Sequence, residues 1–140
     1  MRTYILFLFF FITSLYSQEY NRNIEFLDTK KVLYNERYID IQNFSNSFYK
    51  EGNPCMSYFE RIEISYTNFN VEIMDKEYIL IEKPNLPCVV PTELKYECKL
   101  SQSQKNNFVS IELFPYTKKS GSIYFLKSFK IKIKPINNFK

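Results

Sequence analysis

Beyond residue 22 the chain alternates apolar and polar positions in short runs, divided by polar or proline-bearing connections. Residues 37–42 (RYIDIQ) and 58–65 (YFERIEIS) follow a period near two, the spacing of a half-buried β-strand, and 69–74, 77–82 and 94–100 are further strand candidates. A shorter apolar patch at Ile24, Phe26 and Leu27 precedes them. Asp75 and Lys76 lie between two of these runs, and the pattern predicts a tight hairpin there. Residues 43–54 are polar, with Phe44, Phe48 and Tyr49 embedded, which predicts a long loop held down on the core by its rings. Residues 83–91 (KPNLPCVVP) carry three prolines and read as an extended connection or a sheet edge. Residues 101–107 read as a polar turn.

The clearest pattern comes last. Val109, Ile111 and Leu113 share one face of 107–116, and Phe129, Ile131 and Ile133 share one face of 123–134. A polar turn at 117–122, containing Gly121, separates them, so the pair predicts a long β-hairpin. No run after residue 17 holds a period near 3.6. The expectation is an all-β chain, an antiparallel β-sandwich of about seven strands, forming one domain over residues 18–140.

Residues 1–17 (MRTYILFLFFFITSLYS) follow a different rule. A positive end at Arg2, an unbroken apolar run over 5–12 and a polar stretch from Gln18 match a secretory signal peptide, cleaved after Ser17. The run falls short of the roughly 20 apolar residues of a membrane span. The expected compartment is therefore the periplasm or the cell surface.

Charge and composition narrow the chemistry. The formal charge is +4, and the basic residues are interleaved with Glu and Asp. Lys130, Lys132 and Lys134 alternate with Ile131 and Ile133, which reads as the solvated face of a strand, so no nucleic-acid partner is expected. Histidine is absent, which removes the commonest general base and a frequent metal ligand. Neither a Ser–His nor a Cys–His nucleophile can be assembled, and an independent hydrolase is disfavoured. With only Gly52 and Gly121, no glycine-rich phosphate cradle forms, and no cofactor or metal is expected.

Three cysteines, Cys55, Cys88 and Cys98, contain no CxxC pair. An exported chain favours one disulfide and one spare thiol, and Cys88 with Cys98 closes the shortest loop. The alternative is three small buried apolar side chains. Glu60 and Glu63, three apart on a strand, point to opposite faces and read as solvated residues rather than a carboxylate pair. Asp28 and Asp40 are isolated in the same way. Lys118, Lys119 and Gly121 mark a hairpin tip that keeps its turn in water or presents positive charge to a protein partner.

Residues 105–133 (KNNFVSIELFPYTKKSGSIYFLKSFKIKI) resemble the end of the N-terminal region of type IX secretion sortases, gingipain-like cysteine peptidases exported by Bacteroidetes. The shared elements are a strand ending in Phe114-Pro115-Tyr116, a polar glycine turn, and Leu126-Lys127-Ser128-Phe129 before alternating apolar residues. Residues 54–61 (PCMSYFER) and 69–82 follow the order of that family. The resemblance implies a β-sandwich akin to the gingipain prosegment, set before a catalytic domain that uses a Cys–His dyad on exported cargo. This chain has no His, so none of its cysteines inherits the nucleophile's role. The expected function is a non-catalytic exported domain that packs against or assists a gingipain-like peptidase, its partner being that peptidase domain or the secretion machinery. The alternative is a stand-alone surface module binding protein or glycan through Phe44, Phe48 and Tyr49.

Overall fold

A computed structural model describes residues 17–50, 53–82 and 86–136; the leader expected at 1–17 lies outside them except for Ser17. Ten strands follow in order: β1 (Gln18–Asn23), β2 (Phe26–Tyr34), β3 (Arg37–Phe44), β4 (Ser47–Phe48), β5 (Ser57–Ile64), β6 (Phe69–Ile81), β7 (Lys95–Ser103), β8 (Asn106–Phe114), β9 (Tyr116–Lys119) and β10 (Ser122–Pro135). The all-β expectation holds. The strands form three antiparallel sheets: β1-β10-β6 with β9 also on β10, the pair β2-β3, and β4-β5-β8-β7.

The alternation read from the sequence explains the two main layers. Val109, Ile111 and Leu113 of β8 and Ile131 and Ile133 of β10 are fully buried, and Phe129 nearly so. Tyr58 of β5 meets Phe129 edge to face across the layers, with ring centroids 5.5 Å apart. The β2-β3 hairpin adds a third component. Its Phe26 and Phe44 contact the ring of Phe125 on β10, at 4.6 and 5.4 Å.

Several expectations change at the level of pairing. The hairpin expected between 107–116 and 123–134 does not form as one unit. β8 ends at Phe114, Pro115 breaks the strand, and the chain crosses to the other sheet, where β9 pairs with β10. The turn shrinks to Ser120 and Gly121, with φ of 51° and 80°. Positive φ at both central residues suits the twist of a two-residue hairpin. Space does not require glycine there, because a Cβ on Gly121 meets nothing within 4 Å. β1 carries only one strongly apolar-bodied residue, Tyr20, so no alternation marks it in the sequence; its backbone pairs with β10 from Gln18↔Ile133 to Asn23↔Ser128.

The hairpin expected at Asp75–Lys76 is also absent. Residues 69–81 form one strand, because a long partner, β10, runs beside the whole of it. Tyr78 lies opposite Leu126, Glu77 opposite Ser128, and Met74 opposite Lys130. One extra residue therefore enters β10 at Lys127 and one enters β6 near Asp75, whose φ is 51°. These two bulges lie on opposite strands, so the register displaced at the first is recovered at the second. The polar pair that suggested a turn instead marks a bulge, with Asp75 at positive φ.

The bulge at Lys127 has a second consequence. The Ile24 amide donates to the Lys127 carbonyl at 2.8 Å, and Lys127 Nζ donates to the Ile24 carbonyl at 2.5 Å. Ile24, fully buried, is thereby fixed where β1 gives way to β2.

The disulfide joins Cys55 to Cys88, with Cα atoms 5.9 Å apart, and Cys98 is free. The expected Cys88–Cys98 linkage is thus incorrect. Cys98 lies mid-strand in β7 opposite Ile111, and extended chain carries it away from Cys88. The connection bearing Cys88 instead reaches the start of β5. A linkage across a sequence separation of 33 restricts the unfolded chain by about 3 to 4 kcal/mol. Replacing Cys55 and Cys88 together by serine should lower the unfolding free energy by about that amount in urea titrations. A loss below about 1 kcal/mol would show that the linkage constrains little.

Candidate functional site

Strand period places Tyr58, Glu60, Ile62 and Ile64 on the inward face of β5, with Phe59, Arg61 and Glu63 outward. Glu60 is therefore not the solvated residue expected from the sequence. Its side chain is 11 % exposed and receives Arg22 Nη2 at 2.6 Å, Arg22 Nε at 2.7 Å and the Tyr58 hydroxyl at 2.7 Å. Arg22 comes from β1, so this forked pair bridges the two layers at one margin. The bond to Glu60 raises the Arg22 pKa above its ordinary value. Burial, then the bond to Glu60, raises that of Tyr58. Such an arrangement orients the carboxylate, shields it from water and joins the two layers. Glu63 is exposed, as its opposite face requires.

The aromatics expected in the 43–54 loop separate into different roles. Phe44 is 1 % exposed and belongs to the core. Phe48 packs edge to face on Phe59 at 5.7 Å, and Tyr49 is partly exposed. Three rings presented together to a ligand are not what the fold provides. Hydrophobic alternation could not reveal this, because the segment lies where β3 ends and β4 begins.

The lysines near the tail behave as a strand face. Lys130 Nζ lies 3.6 Å from Glu19 and 3.4 Å from Asp75, and Lys132 sits between Glu19 and Glu72 in the cross-strand register. Carboxylates on both neighbouring strands balance this row.

Lys118 and Lys119 end β9, just before the Ser120–Gly121 turn, and both are exposed. The Lys118 amide donates to the Pro91 carbonyl at 2.8 Å, tying the proline-rich connection to this corner. Lys119 Nζ lies 5.9 Å from the centre of the Tyr78 ring. Below the corner runs an open groove of about 510 Å³, lined by Thr117, Lys119, Lys76, Tyr78, Glu93 and Tyr96. Thr117 is 2 % exposed, and its hydroxyl has no hydrogen-bond partner. Lys119, the Tyr78 ring and the groove form one mixed surface, while Lys118, its neighbour along the strand, faces the opposite side of β9. Cys88 and Cys98, predicted as a pair, belong to neither this corner nor each other. Among the described residues no three His, Cys, Asp or Glu side chains converge as metal ligands, and no helix is long and apolar enough to cross a membrane.

No family model and no curated protein matches this chain. Its fold does match a solved structure, a chain in the complex of Porphyromonas gingivalis RgpB pro- and mature domains, with a TM-score of 0.57 at 8 % identity. The match covers 86 % of this chain and 80 % of that one. At that identity the likeness concerns the fold alone: the chain has a prosegment-like β architecture.

Two outcomes test the packing described here. Glu60→Gln should cost about 1 to 3 kcal/mol, because it leaves the half-buried Arg22 without its counter-charge, while Glu63→Gln should change stability by less than about 0.5 kcal/mol. Equal effects in denaturant titrations would refute the inter-layer role of Glu60. Separately, burial pushes the Tyr116 phenol up to about 12 from 10.0. Unfolded chains release this proton near pH 10 while the folded chain keeps it, so the stabilisation is complete below pH 10 and is lost as pH rises toward 12. Tyr116→Phe should flatten the alkaline fall in stability across that window; an unchanged slope would assign the fall to other groups.

Proposed function

We propose that this chain is an exported, non-catalytic β-domain that packs against a gingipain-like peptidase domain, in the manner of the N-terminal region of type IX secretion sortases. The observation that carries this reading is the likeness to a chain of the RgpB pro- and mature-domain complex, extending over 86 % of this sequence. Three features support it. The leader-like residues 1–17 suit an exported protein. A linkage between Cys55 and Cys88 suits an oxidising compartment. Absence of histidine removes the base that a Cys–His peptidase needs, which leaves contact as the means of action.

On this reading the corner at Lys118, Lys119 and Gly121 is the contact. Exposed Lys119, beside the Tyr78 ring and the groove, offers charge to an acidic recess and an apolar surface to its rim, and exposed Lys118 adds a second cation at the same turn. The short turn holds the lysines at a fixed height, which limits the ordering cost of docking.

A gingipain-like catalytic domain encoded by the same genome should bind the purified chain in surface-plasmon or calorimetric titration. Reversing both charges, Lys118→Glu with Lys119→Glu, should weaken that binding about ten-fold or more without lowering thermal stability. Absence of binding to any such domain would overturn the proposed partner. Binding that survives the double reversal would move the contact elsewhere.

A further inference from the structure

Strand β7 is the edge of its sheet. It pairs with β8 on one side, from Lys95↔Phe114 to Ser103↔Asn106, and with nothing on the other among the described residues. Cross-strand partners share a face, so Tyr96, Cys98 and Leu100 stand beside Leu113, Ile111 and Val109 on the inward side. Those three partners are fully buried, yet Tyr96 and Leu100 remain 41 % exposed. The inward face of β7 thus carries an apolar row that the opposite layer only half covers. An unpaired edge with such a row is a ready template for another strand.

The outward face has the opposite deficiency. Glu97 stands directly across from Glu112, a like-charge pairing that disfavours the sheet. Lys50 takes up Glu112 at 3.3 Å. Glu97 has only Lys99 of its own strand, 3.9 Å away, with both side chains largely in water.

Read along the edge, the residues Lys95-Tyr96-Glu97-Cys98-Lys99-Leu100-Ser101 are complementary to themselves reversed. We propose that β7 is the contact through which two copies of this chain pair antiparallel, about a two-fold axis at Cys98, joining two four-stranded sheets into one. In that register Glu97 faces the partner's Lys99 and Lys99 faces the partner's Glu97, so each carboxylate gains the cross-strand cation that its own sheet withholds. Tyr96 faces the partner's Leu100 on the inward side, extending the apolar row across the junction. Cys98 faces its own copy. Such a contact is isologous and closes on itself, leaving no further β7 edge for growth. Moving the register by one residue would place Glu97 opposite Cys98 and separate polar from polar, so the pattern selects one alignment.

The second copy is favoured over an unrelated strand because the complementarity lies within one sequence. Charge, apolar row and cysteine all return to themselves at the same centre. A cross-strand pair brings Cα atoms within about 4.5 to 5.5 Å, inside the range that a disulfide spans. The spare thiol therefore reports the register directly.

Sedimentation velocity on the chain, expressed from its complete sequence and purified as the cell processes it, should show a concentration-dependent monomer–dimer equilibrium. Glu97→Lys should weaken the dimer about ten-fold, since it sets lysine against lysine twice. Combining Glu97→Lys with Lys99→Glu should restore it, because opposite charges again face each other. Diamide should then link the dimer covalently: two Cys98 thiols give up two protons and two electrons, the azo bond is reduced to the hydrazine, and one S–S bond forms. Cys98→Ser should abolish the link while preserving the dimer. A monomer at every concentration would overturn the proposal, as would a dimer indifferent to Glu97→Lys or a double variant as weak as the single one. A charge-sensitive dimer that diamide cannot link would overturn the register at Cys98.

Discussion

Strand β10 is the constraint on which the rest depends. It is the partner of β1 and β9 along one side and of β6 along the other. Phe125, Leu126, Ile131 and Ile133 on this strand are fully buried, and Phe129 is nearly so. Both main layers and the β2-β3 hairpin bury apolar surface against it, through Tyr58 from one direction and Phe26 and Phe44 from another. Removing apolar area from water is the dominant favourable contribution to folding, so the element that shares its side chains with every layer governs the arrangement. A break in β10 would release three sheets together.

Polar groups adapt to that strand rather than opposing it. The bulge at Lys127 turns one side chain toward the β1–β2 junction, where its ammonium meets the Ile24 carbonyl. The compensating bulge near Asp75 lets β6 follow β10 to its end. Arg22 and Glu60 join the layers at the margin, where Arg22 retains partial contact with water and the desolvation cost is limited. The molecule thus keeps its few inward charges paired and places the remainder on strand faces, as with Lys130 between Glu19 and Asp75.

The exposed chemistry of this fold lies at a short turn with two lysines and along an unpaired edge, β7, and the two meet at Tyr96, which lines the groove beside Lys119. On the readings proposed above, the turn meets a catalytic domain and the edge meets a second copy, with Tyr96 common to both.

How much of this was legible beforehand follows from what local pattern can carry. Period-two alternation in 58–64, 107–114 and 129–133 fixes which side chains face inward, because a strand has only two faces; the all-β class and most of the core followed from it. Lack of histidine likewise excluded whole classes of chemistry without a structure. Partner choice was another matter. That β8 pairs with β5 and β7 rather than β10, that Asp75 marks a bulge rather than a turn, and that Cys88 joins Cys55 all depend on residues distant in sequence. Glu60 shows the limit most clearly: alternation put it on the same face as Ile62, but only the approach of Arg22 from β1 makes an inward carboxylate tolerable. Which face a residue takes is local and written along the chain, whereas what it meets there is decided when the sheets close on one another.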